Sequence, residues 1–137
     1  MKKINCILLI DDNPADNEFH TIKIKKAQVC NHIKVAIDGP KALNYLIKSG
    51  EEEQSETYPK PDLIFLDINM PGMNGFEFLE EYKKLDDKLK SKVVIIMLST
   101  SLNPDDEKKA EENTDVKEFQ NKPLDVKVLQ EILDKYF

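Results

Sequence analysis

Apolar residues along this chain fall into short blocks whose period switches between that of a strand and that of a helix. Ile4 to Ile10 is a nearly continuous apolar run that stops at Asp11-Asp12. A run of that length bounded by charge predicts a buried strand. Asn13 then suits an N-cap, Pro14 the first helical position and Asp16 the positive end of a helix. Ala15, Phe19 and Ile22 carry the helical spacing, which weakens toward Val29. Ile33, Val35 and Ile37 alternate with polar residues, the mark of a half-exposed strand. Asp38-Gly39-Pro40 opens a second helix with Ala42, Leu43, Leu46 and Ile47 on one face, closed at Gly50. Glu51 to Lys60 is polar and mostly acidic, and predicts a solvated loop.

The second half repeats the alternation. Leu63 to Leu66 predicts a buried strand with Asp67 at its carboxyl end, and Pro71, Gly72 and Gly75 follow as breakers. Asn74 with Glu77 three residues on has the form of a capping box. Phe78, Tyr82, Leu85 and Leu89 predict one continuous helical stripe. Val93 to Leu98 is the strongest strand signal, ended by Ser99-Thr100-Ser101. The helix opened by Asn103-Pro104 offers Ala110 alone as an apolar residue, so it is expected to be loosely held. Val116 to Gln120 predicts a weak strand, Asn121-Lys122-Pro123 a turn, and Val126, Leu129, Ile132 and Leu133 the inner face of a last helix.

Strand followed by helix, five times over, predicts an α/β domain with a doubly wound parallel sheet. The continuously apolar strands at Ile4, Leu63 and Val93 belong in its centre, and the more polar ones at Ile33 and Val116 belong at its edges. With right-handed crossovers the strand order is 2-1-3-4-5. A chain of 137 residues fits one domain.

That topology gathers the chemistry. Ligands bind beyond the strand carboxyl ends of such a sheet, where Asp11, Asp12, Asp67, Asn69, Ser99 and Lys122 are expected to meet. Each alone has an ordinary explanation as a cap, a turn residue or a solvated charge. Three clustered carboxylates, however, repel by about 4 kcal/mol per close pair at an effective dielectric of 20. An all-oxygen cluster of this kind suits Mg²⁺, which keeps several waters and shares its shell with phosphate. A lysine and a serine hydroxyl beside it would serve phosphoryl oxygens, with an aspartate available as nucleophile.

As a set, Asp11-Asp12, Asp67-x-x-Met70-Pro71-x-Met73-Asn74-Gly75, Ser99-Thr100 and Lys122-Pro123 resemble the receiver domains of two-component response regulators. The resemblance spans the whole chain and implies the flavodoxin-like (βα)5 fold. It further implies that Asp67 takes a phosphoryl group from a phosphohistidine on a sensor histidine kinase. Asp12 and Asp67 would bind Mg²⁺ through their side chains, Asn69 through its main-chain carbonyl and Asp11 mainly through water. Lys122 would pair with the phosphoryl group, and its bond to Pro123 is expected to be cis. Ser99, with Thr100 beside it, would bind the phosphoryl group and act in the switch, and Phe119 would be the switch aromatic. By the same resemblance, Asn69 and Ser101 would occupy the positions at which the family tunes phosphoryl lifetime. Residues 1–137 are expected to be a stand-alone receiver with no output domain, similar to the phytochrome-linked subgroup. Its output would be protein contacts, and it would be a monomer or a homodimer.

Composition trims the alternatives. A net charge of -6 argues against direct DNA binding. No apolar run approaches the roughly 20 residues of a membrane span, and no signal peptide is apparent, so a cytoplasmic protein is expected. Cys6 and Cys30 lack metal-ligand spacing. A haloacid dehalogenase phosphohydrolase would need a second aspartate where Asn69 stands. A histidine phosphotransfer module built on His20 would need a helical bundle, which the strands oppose. His20 and His32 are expected at the surface.

Overall fold

The computed structural model describes residues 3–51, 56–100 and 103–137. Strands β1 (Ile4–Ile10), β2 (Cys30–Ala36), β3 (Leu63–Asp67), β4 (Val94–Ser99) and β5 (Val116–Asn121) form one parallel sheet in the order β2-β1-β3-β4-β5. The order follows from burial. Every residue of β3 and β4 is buried, as a strand covered on both faces must be. The outer strands β2 and β5 stay partly exposed.

Helices α1 (Pro14–Ala27), α2 (Gly39–Glu51), α3 (Gly75–Lys83), α4 (Asp87–Lys90), α5 (Pro104–Glu112) and α6 (Val126–Tyr136) cover the two faces. Ile24 and Ala27 of α1 join Leu129, Ile132 and Leu133 of α6 over Ile7, Leu9 and Phe65. Leu46 of α2 and Phe78, Leu79 and Tyr82 of α3 close the other face over Leu8, Ile64 and Met97. Each fully buried Leu, Ile or Phe contributes roughly 1.5–3 kcal/mol relative to exposure, so these two layers fix the frame on which the strand ends are displayed.

Four elements depart from the sequence pattern. In α1 the buried residues are Asn17, His20, Ile24 and Ala27, whereas Phe19 and Ile22 are 41% and 57% exposed. The helix is rotated because Asn17 Nδ2 and His20 Nε2 have hydrogen-bond partners inside, which offsets part of the cost of burying these side chains, although Asn17 Oδ1 stays unpaired. The expected single helix through Leu89 is two helices, because Asp86 breaks it. Its extended backbone starts α4, and its carboxylate accepts from the Lys88 N–H at 3.1 Å. Gly50 does not close α2, which continues to Glu51; a Cβ there would collide with Leu89 Cδ2. The glycine thus admits α4 against α2. Finally, the far end of the acidic loop is tied down. Tyr45 donates to the Pro59 carbonyl at 2.6 Å, and Lys60 Nζ donates to the Lys88 and Ser91 carbonyls at the end of α4. Residues 52–55 of that loop, and Ser101, lie outside the described residues.

Candidate phosphoryl and metal site

Register brings the charged residues together. Ile10 pairs with Leu66, so Asp11 emerges beside Asp67. Asp67 pairs with Leu98, so Ser99 lies one step beyond it. Ser99 in turn pairs with Asn121, which places Lys122 next. The Lys122 N–H donates to the Ser99 carbonyl at 2.9 Å, and the Lys122-Pro123 peptide is cis.

Each turn is fixed by a short-range bond. The Asp11 Oδ1 accepts from the Asn13 N–H at 3.0 Å, and Asn13 Oδ1 accepts from the Asp16 N–H at 3.1 Å, which caps α1. Asn17 Nδ2 donates to the Asp11 carbonyl at 2.8 Å from inside the protein. Beyond β3 the chain folds back so that the Gly75 N–H reaches the Ile68 carbonyl at 2.8 Å. A Cβ on Gly75 would stand 2.6 Å from the Asp67 carbonyl oxygen, so no larger residue fits there without moving the end of β3. The capping box is complete: Asn74 Oδ1 accepts from the Glu77 N–H at 2.9 Å, and Glu77 Oε1 accepts from the Asn74 N–H at 3.1 Å.

Lys122 is the hub. Its ammonium lies 2.6 Å from Asp11 Oδ2, 3.0 Å from Asp16 Oδ2 and 3.1 Å from Asp67 Oδ1. Burial disfavours its charge, but hydrogen bonds to Asp11 and Asp16 and the Asp67 charge outweigh that and raise its pKa. Asp67 goes the other way from most paired carboxylates. Burial first, then the Asp11 charge, push it up to about 6 against the pull of Lys122. The two shifts are consistent, since one ammonium is divided among three carboxylates. At neutral pH Asp67 is still mainly ionised, which leaves it nucleophilic.

Asp11, Asp12 and Asp67 offer carboxylate oxygens that all lie within 4.8 Å of one another. Such a hard, all-oxygen donor set fits Mg²⁺. Asp12 is exposed while Asp11 and Asp67 are buried, so one side of the cluster is open to the waters Mg²⁺ retains. Both Asp11 oxygens are already engaged, by Asn13 and by Lys122. Asn69 is exposed on the turn after β3 and Ser99 is 1% exposed at the end of β4, with exposed Thr100 next to it. Phe119 lies farther back on β5, half-buried, paired with Met97 and beside a cavity of about 170 Å³ that Ala110 and Val116 also line.

One residue was misjudged from sequence and the role of another was missed. Asp16 lies in the first turn of α1 as expected, and it is also an ion-pair partner of Lys122. Its placement five residues after Asp11, in the first turn of α1, was the available signal. His20 is not at the surface: it is 2% exposed, and its Nε2 accepts from the Leu124 N–H at 3.3 Å. Burial, then the Lys122 charge, lower its pKa and keep it neutral.

A parallel sheet in this order, with an acidic cluster and a lysine beyond its strand ends, defines a receiver-type signalling domain. The family profile "Response regulator receiver domain" matches residues 7–134, and the chain belongs to that family. It is 37% identical over 100 residues to the response regulator Rcp1 of Synechocystis, a match covering 73% of this chain and 65% of that relative's length. A two-component response regulator from Cytophaga hutchinsonii superposes with a TM-score of 0.88 at 32% identity, covering 98% of each chain. The bacteriophytochrome response regulator AtBRR superposes at 0.74 with 28% identity, covering 98% of this chain and 93% of that one. No helix among the described residues is long and apolar enough to cross a membrane.

Proposed function

We propose that Asp67 is the phosphoacceptor of this receiver, taking a phosphoryl group from a phosphohistidine of a sensor kinase. The observation that carries the reading is the meeting of Asp11, Asp12, Asp67 and Lys122 beyond the carboxyl ends of β1, β3 and β5. An Asp67 carboxylate oxygen attacks phosphorus, the P–N bond breaks, and the imidazole keeps the electron pair and takes up a proton. The product is an aspartyl phosphate, a mixed anhydride that water later hydrolyses.

Asp12 and Asp67 would hold Mg²⁺ directly, with the Asn69 carbonyl and with Asp11 acting through water, since the oxygens of Asp11 are occupied. Bound there, the ion would neutralise charge on the phosphoryl oxygens. Lys122 pairs with the phosphoryl group from its position 3.1 Å from Asp67 Oδ1. The Ser99 hydroxyl donates to a phosphoryl oxygen, and the Thr100 backbone moves with it. Phosphorylation replaces one carboxylate charge by a group of about -2. The added oxygens draw Ser99 inward, and Phe119 turns toward the space left behind. The element biased is α5, whose one buried residue is Ala110. Output passes to a protein partner in the cytoplasm through this altered face and not to DNA, in keeping with the net charge of -6.

The test is incubation with acetyl phosphate and Mg²⁺, read by intact mass. The expected result is one Mg²⁺-dependent, hydroxylamine-labile phosphoryl adduct that Asp67→Asn abolishes. Retention of the adduct in Asp67→Asn would remove Asp67 from this role. Sustained turnover of many equivalents would indicate a hydrolase instead.

A further inference from the structure

Lys122 has a second set of partners whose arrangement gives Asp16 a role. An ammonium carries three N–H donors, and here three carboxylates stand around it at 2.6, 3.0 and 3.1 Å. Two of them, Asp11 and Asp16, are anchored by the β1–α1 turn. Asp11 accepts from the Asn13 N–H, and the Asp16 N–H is held by Asn13 Oδ1 with Pro14 rigidifying the same turn. The third, Asp67, is the proposed phosphoacceptor.

We propose that Asp16 is a positioning residue that, together with Asp11, clamps two donors of Lys122 so that the third is aimed at Asp67 and its incoming phosphoryl group. This rests on the reading of Asp67 given above. A lysine tethered through Asp11 alone pivots about one bond, and its four-carbon stem gives no direction of its own. With two anchors the ammonium cannot pivot, and the stem is 7% exposed while Asp16 remains 36% exposed.

The alternative role for Asp16 is bulk electrostatics, and its sign is opposite. A fourth carboxylate repels an anionic phosphodonor, so removing it should speed phosphorylation if charge alone mattered. A positioning role makes removal slow it. With acetyl phosphate at saturating Mg²⁺, Asp16→Ala should lower the phosphorylation rate about tenfold, the scale of a misaimed group. Asp16→Asn keeps an acceptor oxygen and should recover most of that rate. In a Lys122→Ala background, Asp16→Ala should change nothing further, because the pair acts as one unit. A rate for Asp16→Ala equal to or above wild type overturns the proposal, as does the same slowing with Lys122 absent.

A second readout separates this proposal from the function it rests on. The ammonium of Lys122, observed by NMR through its ¹⁵N-labelled Nζ in the unphosphorylated protein, should give a slowly exchanging signal. That signal should broaden in Asp16→Ala and return in Asp16→Asn. If wild type accepts no phosphoryl group yet the signal behaves this way, the phosphoacceptor reading fails and the clamp stands. If the signal is unchanged in Asp16→Ala, the clamp fails whatever the phosphorylation result.

Discussion

Replacing Asp67, the proposed phosphoacceptor, by asparagine should make the metal-free protein more stable. Asp67 is buried, shares Lys122 with Asp11 and Asp16, and has its pKa pushed from 3.8 up to about 6. A carboxylate raised in the folded state gives stability that is fully present below its unfolded value and lost as pH rises through the folded one. Above about pH 6, therefore, its ionised form opposes folding. At 1.36 kcal/mol per pH unit the gap corresponds to about 3 kcal/mol. Asparagine has the shape of the neutral acid, so Asp67→Asn should recover most of that at neutral pH in EDTA. For a chain of this size that is a rise in Tm on the order of 8 °C. The assay is a pair of urea or thermal melts taken from neutral pH down to about pH 4. The advantage of the variant should shrink below about pH 6 and nearly vanish near the ordinary carboxylate value. Saturating Mg²⁺ should shrink it at neutral pH too, because the ion offsets the repulsion in wild type. A variant no more stable than wild type at neutral pH in EDTA would refute the reasoning. So would a difference that does not depend on pH.

Two further outcomes follow from packing. Gly75→Ala places a methyl 2.6 Å from the Asp67 carbonyl oxygen and 3.0 Å from Met97 Cε; it should cost about 2 kcal/mol in urea melts and weaken Mg²⁺ binding in calorimetric titration. His20→Phe fills the same space but leaves the Leu124 N–H without its acceptor, so the urea midpoint should fall by the equivalent of about 1–3 kcal/mol; an unchanged midpoint would show that the bond contributes nothing.

The sheet was legible because its central strands are apolar on both faces, a signal that nothing else in a chain of this length imitates. The acidic cluster was legible for a related reason. Asp11, Asp67 and Ser99 sit directly at the ends of those runs, so strand order alone brings them together. What stayed hidden depends on contacts between segments far apart in sequence. Asn17 and His20 face inward on α1 because the Asp11 carbonyl and the Leu124 N–H await them there. Hydropathy, which sees Phe19 and Ile22 instead, turned that helix the wrong way. Asp86 divides α3 from α4 by a cap that helical periodicity passes over. The Asp16–Lys122 bond joins residues 106 positions apart, and the only local hint of it is the placement of Asp16 just beyond Asp11-Asp12.

The sparse seating of α5 has a consequence for contrast. That helix buries Ala110 and little else, and a cavity of about 270 Å³ lined by Leu79, Lys83 and Thr114 lies in the same region. An element so lightly held is displaced at low cost, and displacement costing about 2 kcal/mol leaves roughly 3% of molecules in the shifted arrangement at any instant. A target that recognises that arrangement would therefore meet it before any phosphate arrives. Under the proposed function, such a background fraction sets the floor of the response. The ratio of signal to silence could then rise no more than about thirtyfold, however completely the kinase modifies Asp67.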